Sequence, residues 1–373
     1  MIRNLGLTLL STVLALTVCE GLLRTFGAEI LPQPDLYVAD LELGKRMRPG
    51  WEGGEFEAPV VINSKGLRNP EIPYQKPAGV YRILALGDSW TFGFRMNEPD
   101  AYPRQLERDL NERAVARGYL SRFEVINAGV IGYSTDQEAA YLRVEGWKYQ
   151  PDLVLVNYYS VNDTDNKLEM YRKRELLRAI HPWLLALTEA PKRLYLRQFW
   201  KGVRRTLEQK ARAAAAGASA DPDAGSEDWT VSYREGDEGW EAARAALSDI
   251  GVQARARRVP VLAVLLPDTQ DLERYSATYH PTIAPLVEAA VREAGLDYFD
   301  LEPTFAPWVH REDEVRFGAH RHPNAKGYGV IAKAVADEVG RRYLGWETPP
   351  RALVEMSGIE PPTSALRTQR SPS

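Results

Sequence analysis

A chain of 373 residues, 44% hydrophobic and 26% charged, holds enough apolar material for one large domain or two small ones and is not disordered throughout. Its 47 basic residues against 51 acidic ones leave a net charge of −4, which lacks the overall basic footprint that nucleic-acid binding requires. The single cysteine, Cys19, excludes an intrachain disulfide framework and a multi-cysteine metal site.

The first residues read as a targeting segment. Met1-Ile2-Arg3-Asn4 is a short basic start, residues 5–19 are largely apolar, and Glu20 interrupts before Gly21-Leu22-Leu23 resumes. The length lies between a signal-peptide core and a full membrane span. The expectation is an uncleaved transmembrane anchor over residues 5–26, with the rest of the chain exported, periplasmic or at the cell surface. A cleaved signal peptide and a buried helix are the alternatives. Residues 28–75, rich in Pro and Gly with short β-like pieces such as Val60-Val61-Ile62-Asn63, are expected to form a strap on the main domain.

From residue 76 apolar runs alternate with amphipathic ones. Strands are expected at 81–86, 123–128, 153–158, 259–266 and 296–300, and helices near 100–117, 135–148 and 324–343. Continuous apolar strands separated by helices predict an α/β domain over 76–345, a parallel sheet covered on both faces. A helical insertion is expected over 166–237, including a low-complexity mobile linker at 211–228. Its basic, aromatic stretch 172–212 reads as a cap over the site or as a face for an anionic membrane. Residues 346–373 lack periodicity and are expected to be a disordered tail.

In an open parallel sheet, ligands bind beyond the carboxyl ends of the strands. Gly87-Asp88-Ser89 leaves the first strand, Gly129 and Gly132 follow the second, Ser160-Val161-Asn162-Asp163 the third, and His320-Arg321-His322-Pro323-Asn324 precedes the last helix. Serine needs a base to become a nucleophile, and a histidine supplies one near neutral pH. Backbone N–H groups at Ser89 and Gly132 and the Asn162 amide are suited to stabilise a tetrahedral oxyanion. Each residue alone also has a bland reading: Ser89 as a helix cap, Gly132 as a turn, Asn162 as an Asx turn, His322 as a cap beside Pro323.

Gly87-Asp88-Ser89, Asn127-Ala128-Gly129-Val130-Ile131-Gly132, Val161-Asn162-Asp163 and His322-Pro323-Asn324 resemble, in order, the four signature blocks of the SGNH/GDSL hydrolases. Ile62-Asn63-Ser64-Lys65-Gly66-Leu67-Arg68 and Leu86-Gly87-Asp88-Ser89-Trp90-Thr91-Phe92-Gly93 resemble the membrane-anchored bacterial members. The resemblance implies a three-layer α/β/α flavodoxin-like fold with a five-stranded parallel sheet in 2-1-3-4-5 order. It also implies Ser89 as nucleophile, His322 as base, and Gly132 and Asn162 in the oxyanion hole, with no cofactor or metal. The expected substrate is an acyl ester, O-acetyl groups of a cell-envelope or extracellular glycan above all. An O-acyltransferase using the same serine and a catalytically silent glycan-binding or assembly protein are the alternatives. The family's acid is usually two or three residues before the histidine, where this chain has His320 and Ala319. Asp268 and Asp313 are the candidate substitutes.

Overall fold

The structure is a computed structural model that describes residues 2–26, 36–55, 58–165, 168, 232–318 and 321–346. The expected insertion over 166–237 with its linker, and the tail from 346, lie almost wholly outside the described residues.

Ile2–Phe26 is helical (α1). Among the described residues no helix is long and apolar enough to cross a membrane, so the expected transmembrane span is not supported. The largely apolar run of residues 5–19 is shorter than the about 20 apolar residues that a span requires, and Glu20 ends it.

Two hairpins precede the main domain. Tyr37–Asp40 (β1) pairs antiparallel with Gly44–Met47 (β2), and Glu52–Glu55 (β3) with Ala58–Val61 (β4). Asp40 Oδ1 closes the first turn by accepting from the N–H groups of Glu42 and Leu43 at 2.9 and 3.0 Å. Leu43, Met47, Trp51, Val60, Ile62 and Leu67 are buried in the apolar layer on one face of the main sheet.

That sheet contains Val80–Gly87 (β5), Arg122–Gly129 (β6), Leu153–Tyr159 (β7), Val261–Leu266 (β8) and Asp297–Asp300 (β9). All are parallel, in the order β6-β5-β7-β8-β9, which is the expected 2-1-3-4-5. The helices are Ser89–Phe92 (α2), Tyr102–Ala116 (α3), Thr135–Val144 (α4), Glu238–Arg257 (α5), His280–Glu293 (α6) and Ala325–Tyr343 (α7). Strand residues alternate between two buried layers. Leu84, Leu86, Val154 and Val156 meet α4, α5 and α6 on one face; Ile83, Ala85, Leu153 and Leu155 meet α3 and α7 on the other. Burying one such aliphatic side chain contributes roughly 1.5–3 kcal/mol, so the two layers outweigh any single polar contact.

Two boundaries differ from expectation. β8 starts at Val261 rather than at 259, because Pro260 has no N–H for the ladder; its carbonyl still accepts from Val154 at 3.1 Å. α4 ends at Val144 and the chain tightens into a 3₁₀ turn over Gly146–Tyr149. A Cβ at Gly146 would lie 2.8 Å from Leu84 Cδ2, so the helix ends where the backbone reaches the sheet.

One buried group conflicts with its surroundings. Glu138 on α4 is 1% exposed, and neither of its carboxyl oxygens has a hydrogen-bond partner. Burial first, then the neighbouring charges of Asp163, Asp88 and Asp136, push its pKa well above the usual carboxylate range. The folded state then keeps a proton that the unfolded chain releases above the ordinary value of 4.5. Stability is therefore highest below that value and falls as pH rises toward the folded pKa. Glu138→Gln keeps the shape and abolishes the titration. Its Tm is expected to exceed that of the wild type by a margin that grows as pH rises above 4.5 toward the raised folded-state pKa. Thermal melts of both proteins across this range are the check, and a margin independent of pH would contradict the assignment.

Candidate active site

The turn after β5 is tight because two glycines stand where side chains would collide. Gly87 has φ +154°, and a Cβ on it would lie 2.1 Å from Thr91 Oγ1; a Cβ on Gly129 would lie 2.3 Å from the Phe92 nitrogen. The single turn of α2 thus rests on the ends of β5 and β6, and Ser89 emerges at the carboxyl edge of the sheet. Asp88 caps that turn, Oδ1 accepting from the Trp90 N–H at 2.8 Å.

His322 arrives from the opposite side. Ser89 Oγ lies 2.8 Å from His322 Nε2, within hydrogen-bond distance, and 3.4 Å from Asp88 Oδ2. With the hydroxyl donating to Nε2, the imidazole is neutral with its proton on Nδ1, the form a general base requires. The segment that carries His322 is fixed at its carbonyl, which accepts from the Phe317 N–H at 2.9 Å, and by Asn324. The Asn324 side chain caps α7 through the Gly327 N–H at 3.0 Å and donates to the carbonyls of Glu314 and Arg316. The Phe94 ring packs on the imidazole at 4.6 Å, and the Trp90 ring lies 6.3 Å away.

The oxyanion candidates reach the same edge. Gly132 adopts φ +70°, a conformation that glycine takes without strain. Its neighbours are tied to the strap: Lys45 Nζ donates to the Ile131 carbonyl at 2.7 Å, and the Tyr133 hydroxyl donates to the Lys45 carbonyl at 2.6 Å. Asn162 Nδ2 donates to Asp88 Oδ2 at 2.8 Å. An amide nitrogen carries two protons, so this bond orients the group and leaves one donor for an oxyanion.

The structure does not bring Asp313 to the imidazole. Its side chain is 82% exposed and holds Arg316 at 2.7 Å. Asp268 is buried at the end of β8, accepting from the Gln270 N–H at 3.1 Å and the Tyr159 hydroxyl at 3.4 Å, and its hydrogen bonds do not include His322. Ala319 and His320, at the family's usual acid positions, lie outside the described residues.

Sequence reasoning missed the role of Arg68. Fully buried, it donates to the carbonyls of Phe92, Gly93, Pro59 and Met96 at 3.1, 2.7, 3.2 and 2.5 Å, and stacks 4.7 Å above the Phe92 ring. The bonds to Phe92 and Gly93 hold the end of α2, and those to Pro59 and Met96 link it to β4 and to the turn that follows. Burial lowers the guanidinium pKa to about 10, which leaves it charged at neutral pH. The sequence offered little signal for it, since Arg68 stands in a polar stretch between Leu67 and Asn69 with Glu71 three residues on. Asn69 and Asn127 were missed as well: Asn69 Oδ1 accepts from the Asn127 N–H at 2.7 Å, and Asn127 Oδ1 from the Gly129 N–H at 3.0 Å, fixing the end of β6.

No curated protein matches the sequence. Among solved structures, an α/β-hydrolase enzyme from the metagenome of Lake Arreo, Spain, is similar at 16% identity and TM-score 0.41, covering 72% of this chain and 97% of that one. An acetyl xylan esterase is similar at 14% identity and TM-score 0.39, with 69% and 99% covered. A two-domain esterase active on acetylated mannans is similar at 14% identity and TM-score 0.40, with 73% and 51% covered. The GDSL-like lipase/acylhydrolase family matches residues 85–330, a span that starts in β5 and ends in α7 and takes in every residue of the Ser89–His322 edge. The chain therefore belongs to the GDSL-like lipase/acylhydrolase family, and it is a hydrolase acting on ester bonds.

Proposed function

We propose that the chain is a serine esterase that removes acyl groups, O-acetyl above all, from a cell-envelope or extracellular glycan. The observation that carries the serine chemistry is the 2.8 Å approach of Ser89 Oγ to His322 Nε2 at the carboxyl edge of the sheet. In this reading Ser89 Oγ attacks the ester carbonyl as its proton passes to Nε2. The oxyanion is met by the Gly132 and Ser89 N–H groups and the second Asn162 amide proton, each such donor contributing on the order of 2.7–4 kcal/mol. The imidazolium returns its proton to the departing alcohol, which leaves an acyl-serine. Water, deprotonated by His322, then releases the acid and regenerates Ser89. The half-buried Phe94 ring beside the imidazole favours a short acyl group. The same acyl-serine would serve an O-acyltransferase if a sugar hydroxyl replaced water.

A second reading has one specific observation behind it: neither Ala319 nor His320 can accept from Nδ1 as a carboxylate does, which favours a glycan-binding or assembly protein without turnover. Hydrolysis of a small acetyl ester separates the two. Ser89→Ala is expected to lower kcat by roughly 10³-fold or more with the thermal melt unchanged. A variant that keeps a substantial share of wild-type activity would remove Ser89 from its role.

We also propose that the chain is exported and attached to a membrane through α1. Leu10, Val13, Leu14, Leu16, Val18 and Leu22 are exposed along it, an apolar surface suited to lipid. Removing residues 1–27 is expected to move the protein from the membrane pellet to the supernatant on fractionation. A truncated chain that stays in the pellet after a salt wash would assign the attachment elsewhere.

A further inference from the structure

Three consecutive residues beyond β8 grip the residue next to the candidate base. Thr269 Oγ1 donates to the Arg321 carbonyl at 2.9 Å, and Gln270 Oε1 accepts from Arg321 Nη2 at 3.2 Å. Asp268 and the Tyr159 hydroxyl both lie in the field of the Arg321 charge, and the hydroxyl donates to Asp268 Oδ1 at 3.4 Å. The Tyr159 ring packs on Trp90 at 4.9 Å, and Trp90 lies beside His322. Arg321 is thus held at its backbone and at its guanidinium, and His322 is the next residue in the chain.

We infer that Asp268 is a positioning residue for His322 that acts through Arg321 and Tyr159 rather than by touching the imidazole. The inference rests on His322 being the base of the proposed esterase, and it explains how that base works without a carboxylate at the usual place. Two effects follow from the arrangement. The attraction of Asp268 for Arg321, added to the Thr269 and Gln270 contacts, fixes the loop so that Nε2 stays at Ser89 Oγ. The carboxylate also balances the Arg321 cation, which would otherwise oppose the imidazolium that forms during proton transfer. Without its partner, Arg321 would be a partly buried charge left uncompensated.

The charged and titratable groups that face Asp268 are Arg321 from the His322 loop, Tyr159 from the end of β7, Asp271 from its own loop, and the buried Tyr275 that follows it. Burial raises the Asp268 pKa, and Arg321 and the Gln270 N–H pull it back, to about 6. Above about pH 6 it is a carboxylate that balances Arg321; below, it is neutral and the balance is lost.

Asp268→Asn is isosteric and mimics the neutral form at every pH. Two readouts test it, one of them independent of turnover. In the full chain with ¹⁵N-labelled histidine, the His322 signals, assigned by their loss in His322→Asn, are followed against pH. Asp268→Asn is expected to lower the His322 pKa by about one unit, and Asp268→Asn/Arg321→Gln to restore it. In acetyl-ester hydrolysis, kcat of Asp268→Asn is expected to fall by roughly 10- to 100-fold above about pH 7, with KM little changed. The wild-type-to-variant ratio then closes toward one below pH 6, where the wild type carries the neutral acid itself. Tyr159→Phe, which keeps the ring against Trp90, is expected to give a smaller loss in the same direction. A His322 pKa indifferent to Asp268→Asn, or a kcat ratio that is constant with pH, overturns the inference. If the pKa moves as expected while the wild type hydrolyses no ester, the positioning role stands and the esterase reading falls.

Discussion

The site depends on the absence of side chains at two strand ends. A Cβ on Gly87 would stand 2.1 Å from Thr91 Oγ1 and 2.8 Å from Thr91 Cβ, and one on Gly129 would stand 2.3 and 2.7 Å from backbone atoms of Phe92 and Thr91. An alanine at either place would collide with atoms that cannot swing aside, push α2 away from the sheet, and carry Ser89 from His322. The remaining features of the edge work on a turn already placed by this approach. Asp88 caps it, the Asn162 amide is oriented by the same Asp88 carboxylate, and the loop capped by Asn324 delivers the imidazole.

A turn held so closely has more backbone carbonyls than its own hydrogen bonds can satisfy, and the N-terminal strap supplies the missing donors. Arg68 donates to the Phe92 and Gly93 carbonyls at the end of α2 and to those of Met96 and Pro59, and Lys45 and Tyr133 fasten the segment on both sides of Gly132. The strap thus packs apolar residues against one layer of the core and places its charged ends at the catalytic edge. A buried arginine is costly to desolvate, and here four backbone carbonyls receive its guanidinium.

Much of this was legible in the sequence. The five apolar runs, their parallel order and the residues leaving each strand followed from periodicity and from the rule that ligands meet the carboxyl ends of strands. Ser89, Gly132, Asn162 and His322 were visible because each follows a strand or precedes a helix within a short polar block. The clamps by Arg68 and Lys45 were not, because their partners are backbone carbonyls, which leave no mark on the residue types opposite. Glu138 reads in sequence as an ordinary first-turn acid of a helix, and only the fold reveals that both of its oxygens lack partners. Asp268 was visible as an acid at a strand end, but its link to His322 runs through the neighbouring Arg321, which spacing alone does not disclose. Asp313 was chosen for its proximity in sequence, and its exposure and its bond to Arg316 remove it.

The central claim is that Ser89 is an activated nucleophile because His322 Nε2 accepts its proton. A fluorophosphonate, which captures only a serine oxygen that a neighbouring base can deprotonate, tests this without assuming a substrate. Intact and peptide mass spectrometry of the wild-type chain should show a single phosphonyl adduct, located on Ser89 and formed far more slowly in His322→Asn. A wild-type protein that stays unlabelled, or one that is labelled equally fast without His322, would contradict the account.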